Sequence, residues 1–274
     1  MLRRAAVTAL VCIACLPAAA QNRGAGAAAE QARPVPVPRT PDGHPDFTGV
    51  WGHADIGAPR STADLTRPGN ERSKAYAQNL AQLEDLYLPA ARAKMQTLSN
   101  PEDPSLRCIP FGSPRFMTLP ANLLYQVFQT PRAVIILDEY FHSFRIIPTD
   151  GSPHAKPLLP TYLGDSVGRW DGDTLVVDMV GFNGEFFLAD ADDKPRPTSS
   201  GGWFTSDALH VVERWRLVDA DSIEYQATVE DPKVLSGPWT TMKLISKRSR
   251  VTKIGEGMCF DTTTNDLAQA HKGK

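Results

Sequence analysis

The feature that most constrains this chain is a strict alternation between residues 209 and 229. Leu209, Val211, Glu213, Trp215 and Leu217 alternate with His210, Val212, Arg214 and Arg216. After a turn, Ile223, Tyr225, Ala227 and Val229 alternate with Ser222, Glu224, Gln226 and Thr228. A period of two marks a strand with one buried face. A three-residue turn at Asp219, Ala220 and Asp221 pairs Leu217 with Ile223, Trp215 with Tyr225, Glu213 with Ala227 and Val211 with Val229. Both apolar sets then share one face. The chain must therefore build an antiparallel sheet over a core, and Glu213 must sit in the middle of the core-facing side.

A second hairpin signal lies in residues 164–183. Asp171-Gly172 separates two extended runs, and Asp-Gly favours a type I′ turn. Centred there, the turn sets Trp170 against Asp173, Arg169 against Thr174, Val167 against Val176 and Asp165 against Asp178. Val176, Val180 and Phe182 share a face with Asp178, which reads as the core side. This register directs a carboxylate pair into an apolar interior, where like charges side by side are unfavourable.

Other segments fall into place around these hairpins. Phe47 to Trp51 reads as a first short strand after the Pro41-Asp42-Gly43 turn. Residues 70–98 are rich in Ala, Leu, Gln, Glu and Lys and read as helix, broken in two by Pro89. Strands follow at 123–129, 132–140, 143–148 and 239–247, and a long loop at 184–207 carries Phe186, Phe187, Trp203 and Phe204. About eight strands after residue 120, joined by tight connections, close most easily into an up-and-down, lipocalin-like barrel with the helices outside. An open β-sandwich is the alternative.

The amino terminus reads as a cleaved export signal over residues 1–20. Arg3 and Arg4 precede an apolar run too short to span a bilayer, and Ala18, Ala19 and Ala20 offer a cleavage site. Residues 21–40 read as a disordered tether, and 41–266 as a single domain. Lipidation at Cys15 is a minor alternative. Cleavage leaves Cys108 and Cys259, which in an exported protein form one disulfide. The implied location is periplasmic or secreted, with no transmembrane span in the mature chain. A formal net charge of −2 gives no electrostatic case for nucleic acid.

Several strings resemble a family of exported bacterial proteins of unknown function. They are the run from Pro41 to Trp51, the run from Arg107 to Arg115, residues 164–183, the run from Ala208 to Trp215, and Pro238-Trp239. The resemblance spans roughly residues 40–260 and implies one exported unit without implying an activity. Two departures stand out. Thr205-Ser206 stands where the family often has His-Ser, and Asp150-Gly151-Ser152-Pro153-His154-Ala155 replaces the usual Asp-Gly-Arg-x-His-Pro.

The chemistry-bearing candidates are Glu213, Asp165 and Asp178 as acid–base carboxylates, with His154 as a proton shuttle at the barrel mouth. Arg145 and Arg169 are candidate anion-steadying groups, and Trp170, Asn183, Trp203, Trp215 and Tyr225 candidate ligand-wall residues. The bland reading keeps the carboxylates as structural ion-pair partners and the aromatics as core. No metal-ligand pattern, phosphate loop or nucleophile elbow is present in the sequence, so no cofactor is expected. Two functions follow. One is a cofactor-independent lyase, isomerase or hydrolase acting on a small aromatic or carbohydrate-derived molecule. The other is a periplasmic lipocalin-like binding protein without turnover.

Overall fold

Alternating apolar residues produce ten antiparallel strands in the computed structural model, which describes residues 36–54, 69–98, 102–118, 123–189, 202–257 and 259. These residues belong to one unit, Val35–Lys274. The expected export signal, most of the tether and the boundary at 266 lie outside the described residues.

Four strands form the first sheet in the order β1 (Gly49–Gly52), β2 (Leu124–Thr130), β3 (Ala133–Asp138) and β4 (Phe144–Pro148). The second sheet has six: β5 (Asp165–Asp171), β6 (Thr174–Val180), β7 (His210–Asp219), β8 (Ser222–Glu230), and then both β9 (Trp239–Thr240) and β10 (Leu244–Lys247) on β8. The expected last strand at 239–247 is thus two short ones. A mainly β, antiparallel fold is as expected. Among the described residues the ladder falls into two sheets rather than one closed barrel, since no strand pairing joins β4 to β5. The two strands still run close together. A Cβ on Gly168 would stand 2.9 Å from Ile147, so only glycine admits this approach.

The hairpin of β7 and β8 has the expected register at Leu217–Ile223, Trp215–Tyr225, Glu213–Ala227 and Val211–Val229. Its turn is one residue tighter: Asp219 pairs with Ser222, and the extra residue is absorbed as an irregularity between Leu217 and Asp219.

The hairpin of β5 and β6 differs from expectation. Asp171 pairs with Thr174, so Gly172 and Asp173 form the loop. Gly172 alone of the two has positive φ, +57°, which places glycine at the first central position, as in a type II′ turn. Asp165 therefore faces Val180, and Asp178 faces Val167. The core side of β6 is Leu175, Val177 and Met179, which puts Asp178 and Asp165 on the outer face of the sheet. The expected interior pair of aspartates is not formed.

Between the sheets lies an aromatic core. Trp215 meets Tyr225 at 4.9 Å between ring centroids, and Phe116 packs on Tyr125, Trp215 and Tyr225 at 6.5, 6.0 and 6.2 Å. Helices α1 (Glu71–Leu86) and α2 (Pro89–Met95) are separated as expected. Leu88 is extended because it precedes proline, and Pro89 opens α2, where its missing N–H costs nothing. Leu80 and Leu83, three apart, are the buried stripe of α1. Its Asn79 binds the β9–β10 connection, with Nδ2 donating to the Thr240 carbonyl (2.9 Å) and Oδ1 accepting from the Met242 N–H (3.0 Å). The long loop tucks Phe186, Phe187 and Trp203 into the core.

Candidate functional site

Two groupings gather the chemistry-bearing side chains, one sealed between the sheets and one open to solvent.

In the sealed grouping Glu213 is fully buried and every oxygen has donors. Arg145 Nη1 and Nη2 reach Oε1 and Oε2 at 3.0 and 2.8 Å. The Trp215 indole N–H donates to Oε2 at 3.0 Å, and the hydroxyls of Tyr225 and Ser113 donate to Oε1. Burial alone pushes the Glu213 carboxyl up, but the Arg145 charge and these donors bring it below the ordinary glutamate range. Burial, then the Glu213 charge, pushes the Tyr225 hydroxyl well above its usual value, so it stays a donor. A carboxylate this well satisfied has neither a proton to give nor a free lone pair for substrate. Among the described residues it behaves as an internal ion-pair partner.

The aromatic candidates pack or stack within the protein. Trp203 is fully buried beside Tyr87, and Trp170 stacks against His44 at 4.4 Å. Asn183 fastens its loop, its N–H donating to the Thr161 carbonyl at 2.9 Å and its Oδ1 accepting from the Glu185 N–H at 3.0 Å. Arg169 is exposed on the outer face of β5, across from Val176.

The open grouping lies on the outer face of the six-stranded sheet. Asp165 opens β5, Asp178 lies in β6, and His210 and Glu230 are a cross-strand pair at the ends of β7 and β8. His154 comes from the segment between β4 and β5. That segment is held to the sheet where the Thr161 N–H donates to the Gly181 carbonyl at 3.0 Å. His154 Nδ1 stands 2.7 Å from Asp165 Oδ2 and its Nε2 3.1 Å from Asp178 Oδ1. His210 Nε2 stands 3.3 Å from the same Asp178 oxygen, and its Nδ1 3.3 Å from Glu230 Oε2. The five side chains form one alternating chain of acids and imidazoles, with His154 24 % and Asp178 46 % exposed.

A neutral imidazole has one N–H, so it satisfies only one of two facing carboxylates; the imidazolium satisfies both. His154 and His210 are each in this position. A proton therefore has defined places to reside and to leave from along the chain. Three of the residues read from sequence, His154, Asp165 and Asp178, come together here, whereas Glu213 does not join them. His210 and Glu230 escaped notice, although the pairing of Val211 with Val229 already implied theirs. Among the described residues no three His, Cys, Asp or Glu side chains are grouped to hold a metal ion.

The chain matches no protein-family model and no curated protein.

Proposed function

We propose that the protein is an enzyme of general acid–base type whose site is the open chain from Asp165 to Glu230. Asp165 holds His154 Nδ1–H and fixes the ring, and Nε2 exchanges a proton with the substrate. Asp178 and His210 form the second acid–base group, with Glu230 orienting His210. The observation that carries the reading is His154 gripped between two carboxylates at 2.7 and 3.1 Å while still partly exposed. On the same face, Arg214, Arg216 and Lys243 line a concavity beside Thr174, which gives an elongated substrate a place to lie. The reaction is a lyase, isomerase or hydrolase step on a small molecule, and it calls on no organic cofactor.

The fold is read as a barrel-like meander, supported by the bridge of Trp51 to Arg248 and by the Ser249 N–H donating to the Val50 carbonyl. Export to an oxidising compartment and membership of the family resembled above belong to the same reading, and the disulfide is compatible with export.

The test is turnover by the purified chain across a panel of small esters, glycosides and hydroxy acids. His154→Gln should lower any rate found by about 10²–10⁴ while circular dichroism and melting temperature hold. Equal turnover by the variant would take the chemistry away from His154, and binding without turnover gives the field to the binding-protein reading.

A further inference from the structure

The two sheets meet along a seam where the chain leaving β10 runs beside β1. Arg248 forms a bridge with Trp51, and the Ser249 N–H donates to the Val50 carbonyl at 2.8 Å. Among the described residues this bridge does not extend into a ladder. Beside it lies a cavity with about 260 Å³ of room, open to solvent on one side. One water's share of the liquid is about 30 Å³, so a small organic molecule fits.

Leu124 and Ile245 line the cavity with apolar surface. Three cations also line it, Arg72 of α1, Lys247 and Arg248, and among the described residues no carboxylate does. Arg248 is held in place. Its guanidinium lies over the Trp51 ring at 4.1 Å, its Nε donates to the Ala220 carbonyl and its Nη1 to the Thr48 carbonyl, each at 2.9 Å. Nη2 makes no hydrogen bond with the described residues, and it is not one of the unpartnered atoms sealed from solvent. The side chain as a whole is 26 % exposed. Lys247 Nζ donates to the Ser222 hydroxyl at 2.6 Å, which leaves two of its three N–H groups for another partner. Both donors can therefore be reached from the cavity's open side.

The neighbouring acids are turned to other tasks. Asp221 approaches Arg248 at Nε, 3.3 Å away, and is 70 % exposed. Glu139 takes the N–H groups of Leu124 and Gly255 at 3.1 and 3.0 Å. The cavity thus favours negative charge. A guanidinium already oriented by its own contacts loses little freedom on gripping a carboxylate. A bare inorganic anion would leave Leu124 and Ile245 uncovered, whereas an organic acid covers them.

We infer that this seam cavity binds a small organic acid. Its carboxylate accepts from Arg248 Nη2 and Lys247 Nζ, and its apolar body packs against Leu124 and Ile245. Lys247 pairs with Ser222 at one end of β8, and His210 pairs with Glu230 at the other, so the site stands apart from the proton chain and does not depend on the acid–base reading.

Benzoate, benzamide and acetate titrated into the full chain test this, read from the amide NMR shifts of Gly52, His53 and Ile245 around the cavity. Benzoate should give saturable shifts. Benzamide has nearly the same shape without the charge, and acetate has the charge without the ring; each should bind about tenfold more weakly. Lys247→Glu, at an exposed side chain, should weaken benzoate about tenfold or more while the melting temperature holds. Arg250→Gln, which removes an exposed cation outside the cavity lining, should leave benzoate binding unchanged. Benzoate shifts that are absent or do not saturate, benzamide binding as tightly as benzoate, unchanged benzoate binding in Lys247→Glu, or an equal loss in Arg250→Gln would overturn the inference.

Discussion

Glu213 carries its charge where water does not reach, and Arg145 is the reason it can. Removing one partner of a buried ion pair leaves the other uncompensated, at about 3–5 kcal/mol. Glu213→Gln keeps the shape but leaves the guanidinium unpaired, so it should lower the urea unfolding free energy at neutral pH by that amount. The sign with pH follows from the lowered carboxyl. A group depressed below its unfolded value, ordinarily 4.5, contributes fully above that value and loses its contribution as pH falls through the folded one. The gap between wild type and Glu213→Gln should therefore shrink below about pH 4. A variant as stable as wild type at neutral pH would sink the structural assignment and return Glu213 to the list of catalytic groups. The same arithmetic does not extend to Asp178, which is half exposed and bridges two imidazoles instead of answering one arginine.

Helix α1 is docked to the second sheet through Asn79. Asn79 takes the Thr240 carbonyl and the Met242 N–H with its side chain, and its own carbonyl accepts the Trp239 indole N–H at 3.0 Å. Asn79→Ala takes the side-chain partner from two part-buried backbone groups and should cost about 1–2 kcal/mol in urea unfolding, with an unchanged m-value because the same surface is exposed. A loss under about 0.5 kcal/mol would mean that the packing of Leu80 and Leu83 and the backbone bonds of α1 hold it without the Asn79 side chain. The elements differ in how openly they announce themselves. The β7–β8 hairpin is legible because its alternation is clean: one face is Leu, Val, Trp and Leu, the other His, Val, Arg and Arg. Helices α1 and α2 are legible from composition and Pro89. Strand β6 is apolar on both faces, with Val176 as buried as Leu175, so period two cannot choose its core side. The Asp-Gly signal compounds this, because glycine at the first central position and at the second imply registers two residues apart. The two-faced apolarity of β6 is why the aspartates read as interior when they lie outside; the two-residue slip keeps every face and only separates Asp165 from Asp178. Of the His154 site only His154, Asp165 and Asp178 were legible, and not in their place, because a loop brings the histidine to the sheet.

At the scale of the molecule the meander leaves its carboxyl-terminal segment running back over the first sheet. The Ile254 N–H donates to Gln126 Oε1, the Gly255 N–H to Glu139 Oε1, and Cys259 joins Cys108. The bond closes a span of 151 residues, reaching from the loop before the first sheet's β2 past every later strand. In the chain-entropy account such a closure stabilises by roughly 5 kcal/mol, through loss of freedom in the unfolded chain. Cys108→Ser with Cys259→Ser should lower the unfolding free energy toward that amount, and a reductant should do the same to the wild type. A local effect should accompany the global one. Between residues 250 and 257 the hydrogen bonds are few, so without the bond this segment should be the first place that a protease cuts. Cys108 also lies in the loop that supplies Ser113 and Phe116, so the bond steadies the Glu213 network. If reduced and oxidised protein unfold at the same urea concentration and are cut at the same sites, the tether adds nothing to the fold, and the two sheets hold the segment by packing alone.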